Sequence, residues 1–131
     1  MARRETAVPL MFLTGDGMSG GALHHHIAGA PLVGERQTVP RYRFYSIRDE
    51  FPALCPASQG GAAVRGELYD VPMAQLWDLL AGEPPELELA GTGPELSFGM
   101  VLRRGEREHG RYPDITSYGG WRAYRRARGR G

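Results

Sequence analysis

Three groups of residues carry the chemistry this chain can offer. The first is Thr14-Gly15-Asp16-Gly17-Met18-Ser19-Gly20-Gly21, a glycine-rich turn placed directly after an apolar run. Glycines let successive backbone N–H groups converge on one point, so such a turn suits an anion. The segment lacks the Gly-Lys-Ser/Thr ending of a nucleotide-binding loop and has no βαβ unit around it, which leaves a carboxylate or carbamate as the expected anion. The second group is His24-His25-His26. Adjacent helical residues diverge by about 100°, and no His-x-x-x-His pair or cysteine cluster completes a tetrahedral set, so one imidazole acting as proton donor fits better than a metal. The third is Glu83, fixed by Pro84 and Pro85 at the end of a predicted helix. There the helix dipole opposes its charge, which would raise its pKa and favour proton transfer. Asp16 and Glu67 are weaker candidates of the same kind, and Glu86, Glu88 and Glu95 read as solvent-side charges.

The elements that must position these groups are short and separated by Gly or Pro. Residues 7–13 read as a first strand, with Pro9 at an edge or kink. Leu32-Val33, 42–47, 62–69, 87–89 and 96–102 follow as strands on β-branched and aromatic content with partial alternation. Residues 72–81 form the clearest helix: Pro72 sits in the first turn, Met73, Leu76, Trp77 and Leu80 share a face, and Gly82 stops it. A second helix is expected to open within 22–27. Trp121 and Tyr124, three apart after Gly119-Gly120, share a face that can cover the sheet. Five to seven strands with these helices predict an α+β fold, a small β-barrel or curled sheet, in which Leu13, Phe44, Leu68, Trp77, Leu80 and Met100 share the core.

The chain has 131 residues, the size of one domain. Residues 1–124 are expected to form that domain, and 125–131 an Arg-rich tail. Sixteen arginines and no lysine face 15 acids, for a net charge of +1, which excludes a strongly basic nucleic-acid module. Arg122, Arg125, Arg126, Arg128 and Arg130 nevertheless crowd the last ten residues, a weak footprint for phosphates or simply a solvated end. Cys55 is a single thiol without a neighbouring base, read as buried and inert. No apolar stretch approaches the roughly 18 residues of a membrane span and no signal peptide is visible, so the expected location is cytoplasmic.

Together, Phe12–Gly21, Gly34-Glu35-Arg36-x-Thr38-x-x-Arg41-Tyr42-Arg43-Phe44-Tyr45, Phe51-Pro-Ala-Leu54 and Val64-Arg-Gly-Glu-Leu-Tyr-Asp-Val71 resemble the gamma-glutamylcyclotransferase-like family over about four-fifths of the chain. Met18-Ser-Gly-Gly-Ala-Leu-His-His25 is similar to the "LSGxPLNH" segment of the allophanate hydrolase C-terminal domain. Asp114-Ile-Thr-Ser-Tyr-Gly-Gly-Trp-Arg-Ala-Tyr124 resembles that domain's "DITAFGGWRAY" ending. The resemblance implies a small β-barrel with flanking helices and a pocket formed at its mouth by the loop after the first strand.

Two chemistries come with it. The allophanate-hydrolase likeness implies a free-standing lyase that decarboxylates N-carboxycarbamate or a related acyl carbamate, with His25 matching the family's histidine and His24 replacing the Asn beside it. The cyclotransferase likeness implies intramolecular amide cyclisation, Glu83 falling on the position of the catalytic glutamate, although Thr14, Asp16 and Gly17 replace the usual Tyr, Ser/Thr and Leu. A non-catalytic carboxylate-binding protein is the third reading. The expected site comprises His25 and Glu83 as catalytic groups, with Thr14, Gly15, Asp16, Gly17, Met18, Tyr42, Arg43 and Tyr118 binding substrate. No metal and no cofactor are expected. The implied partners are a small carboxylate or amide substrate and a separate amidase, with no nucleic acid and no membrane.

Overall fold

The computed structural model describes residues 10–108 and 110–129. Residues 7–9 of the expected first strand, His109 and Arg130 lie outside them. Seven strands, β1 (Leu10–Leu13), β2 (Leu32–Gln37), β3 (Tyr42–Ile47), β4 (Phe51–Pro56), β5 (Arg65–Tyr69), β6 (Leu87–Gly91) and β7 (Ser97–Leu102), join two helices, α1 (Met73–Ala81) and α2 (Trp121–Ala127). The strands form one mixed sheet in the order β2-β5-β1-β7-β4-β3, with β6 along the other edge of β7. One edge of β7 is shared: β1 pairs in parallel at Ser97 and Phe98, and β4 takes over at Val101. A bridge between Tyr42 and Ala62 carries the β3 end of the sheet back toward the start of β5, so the sheet curls into a half-barrel. The fold is α+β, as expected.

Sequence reasoning missed β4, because Pro52 and Pro56 argue against a strand with neighbours on both sides. Geometry accommodates them. On β3 the N–H groups of Tyr42, Phe44 and Ser46 bond Ala62 O, Thr116 Oγ1 and Pro113 O, away from β4. Their partners Pro56, Leu54 and Pro52 therefore aim their own nitrogens away from β3, toward β7, which pairs with β4 only at Leu54. No ladder bond is asked of either proline.

The core holds Met11, Leu13, Phe44, Leu54, Val64, Leu79 and Val101, closed from one side by Trp121 and Tyr124 of α2. A smaller cluster joins Ile47, Ala53, Leu87 and Leu102, with Met100 packed against it. The helix α1 corrects the expected core. It turns Leu79 inward at 3% exposure, with Leu76 and Leu80 half-buried, and leaves Met73 69% and Trp77 76% exposed. Its apolar arc is wider than one face, and the sheet takes the Leu76/Leu79/Leu80 side. The helix expected within 22–27 is a single 3₁₀ turn, His24–Ile27. At the other end α2 runs through Ala127, so Arg125 and Arg126 are helical.

Candidate functional site

The loop after β1 is held from several directions. Trp121 Nε1 donates to Asp16 Oδ1 at 3.2 Å, Leu23 N–H to Asp16 O at 3.0 Å, and Gly21 N–H to Met18 O at 2.9 Å. A Cβ at Gly21 would collide with the Asp16 carbonyl, and one at Gly15 would come within 2.8 Å of Pro52 Cδ, so both glycines answer to space. From the strand side, Glu67 is 3% exposed and accepts four hydrogen bonds. Ser19 N–H donates at 2.7 Å, Ser19 Oγ at 2.8 Å, Tyr69 OH at 2.8 Å and Arg122 NH2 at 3.1 Å. Burial alone would raise its pKa, but those donors outweigh it and hold the carboxyl below its ordinary value.

On its inner side this loop walls a cavity of about 140 Å³, lined by Thr14, Gly15, Asp16 and Gly17, by Phe12, Leu87 and Met100 among the apolar groups, and by His26, Glu83 and Glu50, the last paired with Arg48 at 3.1 Å. Glu83 follows the Gly82 stop of α1, and its N–H bonds Leu80 O, so helix end and prolines together fix it. Its carboxyl has no hydrogen-bond partner among the described residues. Burial pushes it up to about 7. The cause is desolvation in a largely apolar wall, not the helix dipole invoked from sequence. His26 Nε2 stands beside Gly82, 4.0 Å from where a Cβ there would lie. The N–H groups of Gly15, Asp16 and Gly17 donate to no acceptor among the described residues, leaving donors in this wall for an anion.

The structure thus brings together Thr14, Gly15, Asp16, Gly17 and Glu83, and separates the rest of the expected site from them. His25 does not line the cavity: it is exposed, with Nδ1 at 3.1 Å from Ala22 O. A 3₁₀ turn places successive side chains about 120° apart. His24 turns toward Gly17 O, at 2.9 Å, and the Tyr69 ring, while His26 lines the cavity with the exposed His25 ring against its own at 4.2 Å. His26 is the residue sequence reasoning missed, since a run of three identical side chains carries no register. Met18 is apolar and packs into the core beneath the loop. Tyr42 is also buried, its OH 3.4 Å from Gly91 O, remote from the loop. Arg43 alternates to the outer face of β3, where it pairs with Asp114 at 2.8 Å. Tyr118 is half-exposed against the edge of Tyr124. Cys55 is half-buried, and burial raises its thiol pKa. Among the described residues no cluster of His, Cys, Asp or Glu could hold a metal ion, and no helix is long and apolar enough to cross a membrane.

Residues 9–126 match the family model of the allophanate hydrolase C-terminal domain. Among solved structures the chain is similar to c4763, a uropathogenic E. coli-specific protein, with 30% identity and a TM-score of 0.79 over 90% of this chain and 95% of that one. It is similar to Kluyveromyces lactis allophanate hydrolase with 22% identity and a TM-score of 0.79, covering 96% of this chain but only 22% of the enzyme. The uncharacterized protein PH0828 from Pyrococcus horikoshii aligns with 19% identity and a TM-score of 0.71, over 92% of this chain and 96% of that one. At these identities the last two likenesses speak for the fold alone. No curated protein matches in sequence.

Proposed function

From its place in the allophanate hydrolase C-terminal domain family, to which the chain belongs, we propose that this protein decarboxylates a small N-carboxylated carbamate, with Glu83 as the proton donor. The observation that carries the proposal is a carboxyl without a hydrogen-bond partner, set in a small apolar-walled cavity that the glycine-rich loop closes. The substrate class is a nitrogen flanked by two carboxyl groups. One carboxylate docks on the N–H groups of Gly15, Asp16 and Gly17. The other lies against Phe12, Leu87 and Met100, where a charge is poorly solvated and loss as neutral CO₂ is favoured. As the C–N bond breaks, its electron pair moves to nitrogen, which takes the proton of Glu83. Water restores that proton.

A carboxyl titrating near neutrality is matched to this task, and its neutral form does not repel the incoming anion. His26 stands near enough to relay the proton or orient the substrate. The hollow is small, which suits so compact an ion. Cyclotransfer is favoured by one observation, the same Glu83 on the same wall, acting there as a base toward an attacking amine.

The test is CO₂ release when the protein is added to an amidase that generates N-carboxycarbamate. Acceleration is expected, reduced about 10²–10⁴-fold by Glu83→Gln and little changed by His25→Ala. Full activity of Glu83→Gln overturns the role of Glu83. 5-Oxoproline formed from a gamma-glutamyl amine, without CO₂ release, would transfer the same carboxyl to the cyclotransferase reading.

A further inference from the structure

The outer side of the glycine-rich loop forms a second hollow of about 330 Å³, which shares only Gly15 and Asp16 with the inner cavity. Its walls are Gly15 through Ala22, except Gly17, on one side and Trp121, Arg122, Arg125 and Arg126 of α2 on the other. A neighbouring groove of about 420 Å³ continues past Arg122 and Arg126 to Arg36 and Arg65.

These arginines differ in how far they are neutralised. Arg122 is committed to Glu67 and to the Ser19 carbonyl, and Arg36 to Glu95 at 2.9 Å. Arg65 has only the Tyr118 carbonyl, at 3.3 Å. Arg125 lies over the Trp121 ring at 5.3 Å with Nε buried, which leaves its terminal NH₂ groups, without a hydrogen bond among the described residues, to a ligand. Arg126 has no hydrogen bond or ion pair among the described residues, and the N–H groups of Gly20 and Ala22 have no acceptor. Two guanidiniums without a hydrogen bond or ion pair among the described residues, and two residues whose N–H groups have no acceptor among them, thus line one concave surface. The one acid in its wall is Asp16, which keeps its charge while accepting from Trp121 Nε1 and is outnumbered there by Arg122, Arg125 and Arg126.

The geometry points to a binding site on this outer face for a small polyvalent oxyanion, bearing phosphate or carboxylate groups, held by Arg125, Arg126 and the Gly20–Ala22 segment of the loop. Arg122, already anchored, sets the floor. A planar guanidinium matches such groups in bidentate fashion, and stacking on Trp121 spares Arg125 part of the ordering cost.

The site is independent of the decarboxylation reading and is tested apart from it. Pyrophosphate and citrate serve as probes, read by melting temperature and by Trp121 fluorescence in a Trp77→Phe background. A saturable rise in melting temperature is expected. At least one probe should bind ten times or more weakly to Arg126→Ala, and weaker still to the Arg125→Ala/Arg126→Ala double variant, while Glu83→Gln binds as the parent does. Preference for pyrophosphate identifies a phosphate ligand, and preference for citrate a carboxylate one. Arg126 is exposed and unpaired, so its removal leaves the fold intact. An equal response to sodium chloride at matched ionic strength, unchanged affinity in the double variant, or no saturable binding by either probe would each overturn the assignment.

Discussion

Glu67 and Glu83 serve one loop and are treated in opposite ways. Glu67 reaches it from the middle of β5, is 3% exposed, and has four donors on its oxygens, which hold its pKa below the ordinary value. Glu83 reaches the other side from the end of α1 and has no donor among the described residues; desolvation alone lifts its pKa to about 7. Solvent exposure of the residue therefore does not order the two: desolvation pushes both carboxyls upward, and at Glu67 the donors reverse it. The number of hydrogen bonds to the charged form does, and it separates a carboxylate that fixes the loop from a carboxyl able to exchange protons beside it.

Breaking the fixed side should have the largest effect. Glu67→Gln keeps the shape but turns an acceptor of four bonds into an amide whose NH₂ meets other donors. Arg122 loses its counter-charge, and the amide NH₂ must face either Arg122 or Ser19 N–H, which bond opposite oxygens of Glu67. Hydrogen bonds to a buried charge and the stranding of one of its partners suggest a loss of about 3 kcal/mol, moderated because Arg122 is partly exposed. For a chain of this size that lowers the melting temperature on the order of 10 °C. A loss under about 2 °C would show that the loop does not depend on this strand.

Sharpening the other side needs pH. Glu83 has an ordinary pKa of 4.5 unfolded and about 7 folded, so between these values the folded state holds a proton that the unfolded state has released. Its contribution to stability is complete below about 4.5 and lost as pH rises through about 7. At about 1.4 kcal/mol per unit the full swing is ~3 kcal/mol, and partial exposure reduces it to about 2. Glu83→Gln removes this dependence, so the variant should gain on the parent from pH 5 to pH 8. Parallel melting curves across that range would mean that the carboxyl is solvated and titrates normally, and the contrast with Glu67 would fall.

Both glutamates stood out in the sequence as candidates, Glu67 the weaker, but only Glu83 showed its role. Glu83 announces itself through Gly82 and two prolines, which mark a fixed helix end, and the glycines after β1 mark the wall it faces. Glu67 gives almost no local signal, because Ser19 and Arg122, its partners, lie 48 and 55 residues away. The β4 strand was hidden by prolines whose harmlessness depends on which way the β3 N–H groups point. In the histidine turn the residue types were legible but not the register, and one step along the turn exchanges the exposed His25 for the cavity-facing His26. The Thr14–Gly17 half of the expected binding site needed only adjacency in sequence. Tyr42, Arg43 and Tyr118 needed the curl of the sheet.

The smallest expected effect lies on the helix that delivers Glu83. Met73, Leu76, Trp77, Leu79 and Leu80 satisfy helical spacing on two overlapping arcs, and periodicity alone does not choose between them. The structure chooses Leu79, which makes a sharp paired prediction. Trp77→Ser should change stability by no more than about 0.5 kcal/mol, since a side chain 76% exposed has little burial to lose. Leu79→Ala should cost about 2–4 kcal/mol through the cavity it leaves. The same pair bears on the glutamates. If α1 is seated by Leu79, Trp77→Ser leaves the pH profile of melting where it was, because Glu83 keeps its place in the wall. Should Trp77→Ser be the more damaging change, α1 would be rotated from its observed seat. Glu83, two residues past the helix end, would then face elsewhere, and its raised pKa would lose the geometry that explains it.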